Sequence, residues 1–184
     1  MTTPLLVTSE ESLCNVLSKH ANESTVFAID GMYGVGKSSL ARRIGTWFDC
    51  RVVECDSFIQ KNHGHLPYPA ILDLENLSRA IATATVQTRP VVVDSILLRS
   101  VLNALGIEQA FHVYVRRIPM DRRDDHAKMF DDNRTEAELI AEISEVARCA
   151  EIADDYPLLE RQLVRYHKQT FPHQRADVLY ELHF

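Results

Sequence analysis

The sequence predicts an α/β protein, a parallel β-sheet with helices on both faces, and three observations carry that class. Short β-branched runs recur along the chain, and the first four are apolar almost throughout, as in strands covered on both sides. Segments with helical spacing separate them; this alternation gives a parallel sheet with ligands expected at the carboxyl ends of its strands. The third observation is the stretch IDGMYGVGKSS at 29–39, which joins the first run to the first helical segment.

Taken in order, TVFAID (25–30) is the first strand, and Leu40, Ile44 and Trp47 share one face of the helix after the glycine loop. RVVECD (51–56) is the second strand, followed by a stripe of Leu74, Leu77, Ile81 and Ala84. PVVVDS (90–95) is the third, with a helix over 96–105, and FHVYV (111–115) is the fourth. Thr135 with Glu138 makes a capping box ahead of Leu139, Ile143, Val146 and Ala150, and Pro157 suits the first turn of another helix. ADVLYEL (176–182) is the fifth strand.

At 184 residues, with 46% hydrophobic and 25% charged residues, the chain has ordinary globular values. Without repeats or linkers, 1–184 is expected to form one domain. The net charge of −6 argues against a nucleic-acid or acidic-lipid partner. No long apolar run and no targeting segment is evident, so no membrane is expected. Cys14, Cys50, Cys55 and Cys149 are scattered, which fits reduced thiols in a cytoplasm better than a disulfide framework. Zinc is not expected, because Cys50 and Cys55 with His63 and His65 lack structural zinc spacing.

Gly31-Met32-Tyr33-Gly34-Val35-Gly36-Lys37-Ser38 matches the P-loop pattern, placed after a strand and opening a helix. Glycines let successive N–H groups face inward, and the helix start adds about half a positive charge. Lys37 is expected to reach the β- and γ-phosphates, Ser38 to offer its hydroxyl to Mg²⁺, and Ser39 to contact an inner phosphate. Asp94 ends the third strand, where a carboxylate either holds Mg²⁺ or its waters or caps the next helix. Asp56 ends the second strand, as a base for an attacking hydroxyl or as a turn-former. Tyr33, Phe58, His63, His65 and Tyr68 offer an aromatic and imidazole wall for an acceptor ring or sugar. His112 is a packed strand histidine, and Tyr166-His167-Lys168 is expected on a helix surface.

Four stretches, DGMYGVGKSSLARRI, CDSF followed by PYPAILDLENL, RPVVVDSILL, and RRIPMDRRDD followed by FPHQRADVLYE, resemble P-loop kinases of the uridine kinase-like group. The resemblance implies a three-layer P-loop NTPase fold with a five-stranded sheet in the order 2-3-1-4-5. It implies ATP as phosphoryl donor, Mg²⁺, a small acceptor between the loop and residues 56–77, and a lid near 117–130. It also implies Asp56 as base and Arg117 and Arg123 as lid groups steadying the transferred phosphoryl. Planar guanidinium suits that task because the transition-state charge spreads over three oxygens, although Arg116, Arg117, Arg122 and Arg123 equally fit a solvated basic face. The chain departs from the pattern where Asp94-Ser95 stands in place of Glu-Gly, and where the lid reads RDDHAKMFDDN.

The expected activity is therefore transfer of the γ-phosphoryl of ATP to a hydroxyl of a nucleoside-like acceptor. The alternatives are an antibiotic, nucleotide sugar or cofactor precursor as acceptor, or a non-catalytic nucleotide-binding module. A GTPase switch would carry an Asn-Lys-x-Asp reader, which this sequence lacks. Oligomeric state is left open by the sequence.

Overall fold

The computed structural model describes residues 3–22, 25–60, 66–87, 90–118, 133–149 and 155–183. Their core is one parallel sheet of six strands. These are β1 (Leu5–Val7), β2 (Val26–Gly31), β3 (Val52–Glu54), β4 (Val91–Asp94), β5 (Phe111–Ile118) and β6 (Val178–His183), in the order β1-β6-β5-β2-β4-β3. Every residue of β2 and β4 is buried, which requires cover on both faces and gives the three-layer arrangement.

The sheet corrects the expected five strands to six. The strands read from the sequence keep their relative order, and β1 is added beyond the last of them, pairing Leu5, Leu6 and Val7 with Val178, Leu179 and Tyr180. Its three residues expose Leu5 and Leu6 and bury only Val7. Three apolar residues are too short a run to show a period, and the strand is defined by its partner rather than by its own pattern.

The helices are α1 (Glu10–His20), α2 (Lys37–Trp47), α3 (Tyr68–Ile71), α4 (Leu74–Gln87), α5 (Leu98–Ala104), α6 (Glu136–Cys149) and α7 (Asp155–Thr170), with a 3₁₀ turn at Cys55–Phe58. Ser9 caps α1 by accepting from the Ser12 N–H at 3.2 Å. The capping box before α6 forms in both directions, Thr135 N–H to Glu138 at 2.7 Å and Glu138 N–H to Thr135 at 3.3 Å. Leu40 and Ile44 of α2 and Leu77 and Ile81 of α4 are buried as their spacing requires. Trp47 is 55% exposed instead, because the buried face of α2 runs through Leu40, Ala41, Ile44 and Gly45 and Trp47 falls at its edge.

Close packing of α2 on β3 depends on Gly45. A Cβ there would lie 2.4 Å from Val52 Cγ2 and 3.2 Å from the Cys50 carbonyl oxygen, distances no side chain tolerates without a shift of β3. All four cysteines are free thiols. Among the described residues, no helix is long and apolar enough to cross a membrane.

Candidate active site

The site is built at the carboxyl ends of β2, β4 and β3 and closed by α7. At the end of β2, Gly31 has φ 150°, and a Cβ on it would sit 2.5 Å from the Val115 carbonyl oxygen of β5. Only glycine lets the chain turn away from the sheet there. Gly36, with φ 96°, then serves as the N-cap of α2, so the loop delivers Lys37 and Ser38 to the first turn of a helix whose amino end favours anions.

Lys37 is 8% exposed, and its ammonium donates to the Met32 carbonyl at 2.7 Å. The loop therefore closes on its own lysine. Burial lowers the Lys37 pKa, opposed by the negative charges of Asp30, Asp94 and Asp56. Ser38 donates its hydroxyl to Asp94 Oδ2 at 2.7 Å. Asp94 Oδ1 is buried with no hydrogen-bond partner, and burial pushes the Asp94 carboxyl up to about 6. A buried carboxylate oxygen without a donor beside a serine hydroxyl is a strained arrangement that a cation or its water relieves. Ser38 and Asp94 thus fit Mg²⁺ as the hard oxygen pair it prefers.

Across the site, Asp56 sits in the 3₁₀ turn after β3. Its Oδ1 accepts from the Tyr68 hydroxyl at 2.5 Å, and the Tyr68 oxygen lies 2.9 Å from Ser95 Oγ. Tyr68 is therefore engaged through its hydroxyl, and its backbone N–H donates to Gln162 at 2.7 Å. Between Asp56 and the loop lies a cavity of about 620 Å³, lined by Tyr33, Lys37, Ser38, Ser39, Asp56 and Tyr68 among others. Its remaining walls are mostly aliphatic, from Ile59, Leu66, Ile71, Ile96, Leu158 and Leu159.

The sequence-predicted residues thus divide. Gly31, Gly34, Val35, Gly36, Lys37, Ser38 and Ser39 form one continuous loop and helix start, and Asp94 and Asp56 join it from β4 and the turn after β3. Phe58 faces elsewhere, into a second cavity of about 770 Å³ along β3 and α4. Arg117 lies exposed near the carboxyl end of β5, opposite Leu182. Arg123, His63, His65 and most of the expected lid lie outside the described residues.

Sequence reasoning missed the contribution of α7. The expected surface placement of Tyr166 and His167 is wrong, since they are 4% and 2% exposed. Tyr166 donates its hydroxyl to Asp30, whose other oxygen accepts from the Gly31 N–H at 2.7 Å, and Tyr166 in turn accepts from the Arg99 N–H at 3.2 Å. Glu160 accepts from the Tyr33 hydroxyl. With Gln162 holding Tyr68, one helix grips both the loop and the opposite wall of the cavity. The available signal was amphipathic spacing: Leu163, Tyr166 and His167 lie three and four residues apart, a buried stripe.

No family model and no curated protein matches the chain. A solved structure described as a possible uridine kinase from Bacillus stearothermophilus is similar, with a TM-score of 0.55 and 14% identity over 93% of this chain and 96% of that one. At that identity the likeness establishes a shared fold alone, a parallel α/β sandwich.

Proposed function

We propose that this protein is an ATP-dependent small-molecule kinase that moves the γ-phosphoryl group to a hydroxyl of a nucleoside-like acceptor. The observation that carries this reading is a single cavity bounded by the P-loop lysine and serine on one side and the Asp56 carboxylate on the other. Phosphoryl transfer needs little more than anion stabilisation facing a base, in line. The shared fold with a possible uridine kinase supports the same class.

Loop N–H groups and Lys37 would hold the phosphates, with Lys37 leaving the Met32 carbonyl for the phosphate oxygens. Ser38 and Asp94 would hold Mg²⁺, which when bound supplies Lewis-acid neutralisation of phosphate charge. Asp56 Oδ2 would accept the acceptor's hydroxyl proton while Oδ1 stays on Tyr68. Arg117, exposed near the carboxyl end of β5, is the described candidate for steadying the transferred group.

A second reading, a non-nucleoside acceptor such as an antibiotic or cofactor precursor, is favoured by the aliphatic walls. Among the described residues, the aromatic rings lining the cavity are those of Tyr33 and Tyr68, and both hydroxyls are engaged by the protein itself. The test is ADP release from Mg-ATP across a panel of nucleosides, sugars, aminoglycosides and vitamins. A nucleoside dependence supports the first reading, dependence on another alcohol supports the second, and release stimulated by no acceptor overturns both.

A further inference from the structure

We propose that Ser95 and Tyr68 are positioning residues for Asp56, a buried hydroxyl relay that aims one carboxylate oxygen at the acceptor. The inference rests on the kinase reading and adds to it the parts that orient its base. Asp56 sits on a short 3₁₀ turn and is exposed, so its own backbone gives the carboxylate little restraint. Restraint comes from Tyr68, 4% exposed, and from Ser95, 2% exposed.

The direction of the relay follows from proton counting. Tyr68 has one hydroxyl hydrogen, and at 2.5 Å from a carboxylate oxygen that hydrogen belongs to the bond with Asp56. The 2.9 Å contact between Tyr68 and Ser95 must then run from the serine hydroxyl to the phenol oxygen. Cys55 is the other side chain hydrogen-bonded to Ser95, but sulfur is a weak acceptor and does not compete for the serine proton. Burial first, and then the bond to Asp56, raise the Tyr68 pKa and keep it a donor. Donation from Ser95 polarises the phenol and strengthens its bond to Asp56.

Ser95 also explains why two adjacent residues at the end of β4 divide the site between them. Asp94 takes the Ser38 hydroxyl on the phosphate side, and Ser95 takes Tyr68 on the acceptor side. A glycine at 95 could not do this.

The test compares the native protein with Tyr68→Phe and Ser95→Ala, each checked for an unchanged thermal midpoint. The first readout is the ¹³C signal of the Asp56 carboxyl at pH 7, assigned by its loss in Asp56→Asn. It is expected to move in Tyr68→Phe and, by less, in Ser95→Ala, which reaches Asp56 only through the phenol. The second is steady-state transfer from Mg-ATP to the best acceptor of the panel. There kcat is expected to fall about tenfold in Tyr68→Phe and about threefold in Ser95→Ala, with the KM for ATP unchanged. An Asp56 signal unmoved by both substitutions overturns the relay, whether or not any acceptor is phosphorylated. A signal that moves while kcat holds overturns its role in the reaction. If the native protein phosphorylates nothing in the panel, the kinase reading falls and the signal decides the relay on its own.

Discussion

The proposed phosphate side and the proposed acceptor side of the cavity are built by opposite strategies. The first is nearly all one segment, residues 31–39, whose backbone N–H groups and helix start would do the binding, with Asp94 the principal addition. The second is assembled from Asp56, Tyr68, Ser95 and the α7 residues Leu158, Leu159 and Gln162, which lie on four separate elements and loops between residues 56 and 162. The lesson is that contiguous sites made of backbone are recognised from pattern, whereas sites made by converging side chains are recognised only once the fold is known.

The largest effect is expected at Lys37. Lys37→Ala is expected to lower ATP-dependent transfer by about a thousandfold or more, measured as ADP release, because no other described side chain lines the cavity with a cation. Asp56→Asn is expected to lower kcat by about a hundredfold while leaving ATP affinity unchanged, as followed by titration with a fluorescent ATP analogue. If both sides contributed only to binding, the two variants would raise KM alone. Asp94→Asn is expected to raise the magnesium concentration needed for half-maximal activity about tenfold, with the acceptor KM unmoved, since Asp94 touches the phosphate side through Ser38.

The smallest expected effect is on stability, and it again separates the two sides of Asp94 and α7. His167 is held neutral, donating from Nδ1 to the Leu163 carbonyl and accepting at Nε2 from Tyr114, each at 2.7 Å. Burial lowers it to about 3, and His112 to about 4. A lowered histidine pKa contributes stability that is present above the unfolded value near 6.5 and is lost as pH falls toward the folded value. Asp94 has the opposite sign: raised to about 6, its ionisation destabilises the ligand-free fold as pH rises through that value. Urea unfolding is therefore expected to show the histidine loss between pH 7 and pH 5 partly offset by the buried carboxyls Asp94 and Asp30, and a loss about 1 kcal/mol larger in Asp94→Asn, where one offset is gone.

The five strands β2 to β6 and the glycine loop were legible because each is written in consecutive residues: β-branched runs for the strands, and glycine spacing for 31–38. β1 was not, because three residues with one buried side chain carry no period. Tyr68 was read as a ring for an acceptor, yet its hydroxyl is taken by Asp56, a partner set by the fold rather than by spacing. Tyr166 was placed on the surface and Glu160 was passed over because polar groups on a helix read as surface unless something opposite needs them. What needed them were Asp30 and Tyr33, more than a hundred residues earlier.

Gly45 gives this architecture an unexpected vulnerability. It lines neither cavity, but it sets how closely α2 approaches β3, and β3 runs directly into the turn that holds Asp56. An added methyl group at 45 would push the strand outward and carry Asp56 with it. In a saturation screen scored on activity, a helix glycine away from both cavities would rank beside the residues that line them, and its suppressors would be trimmed side chains at Val52.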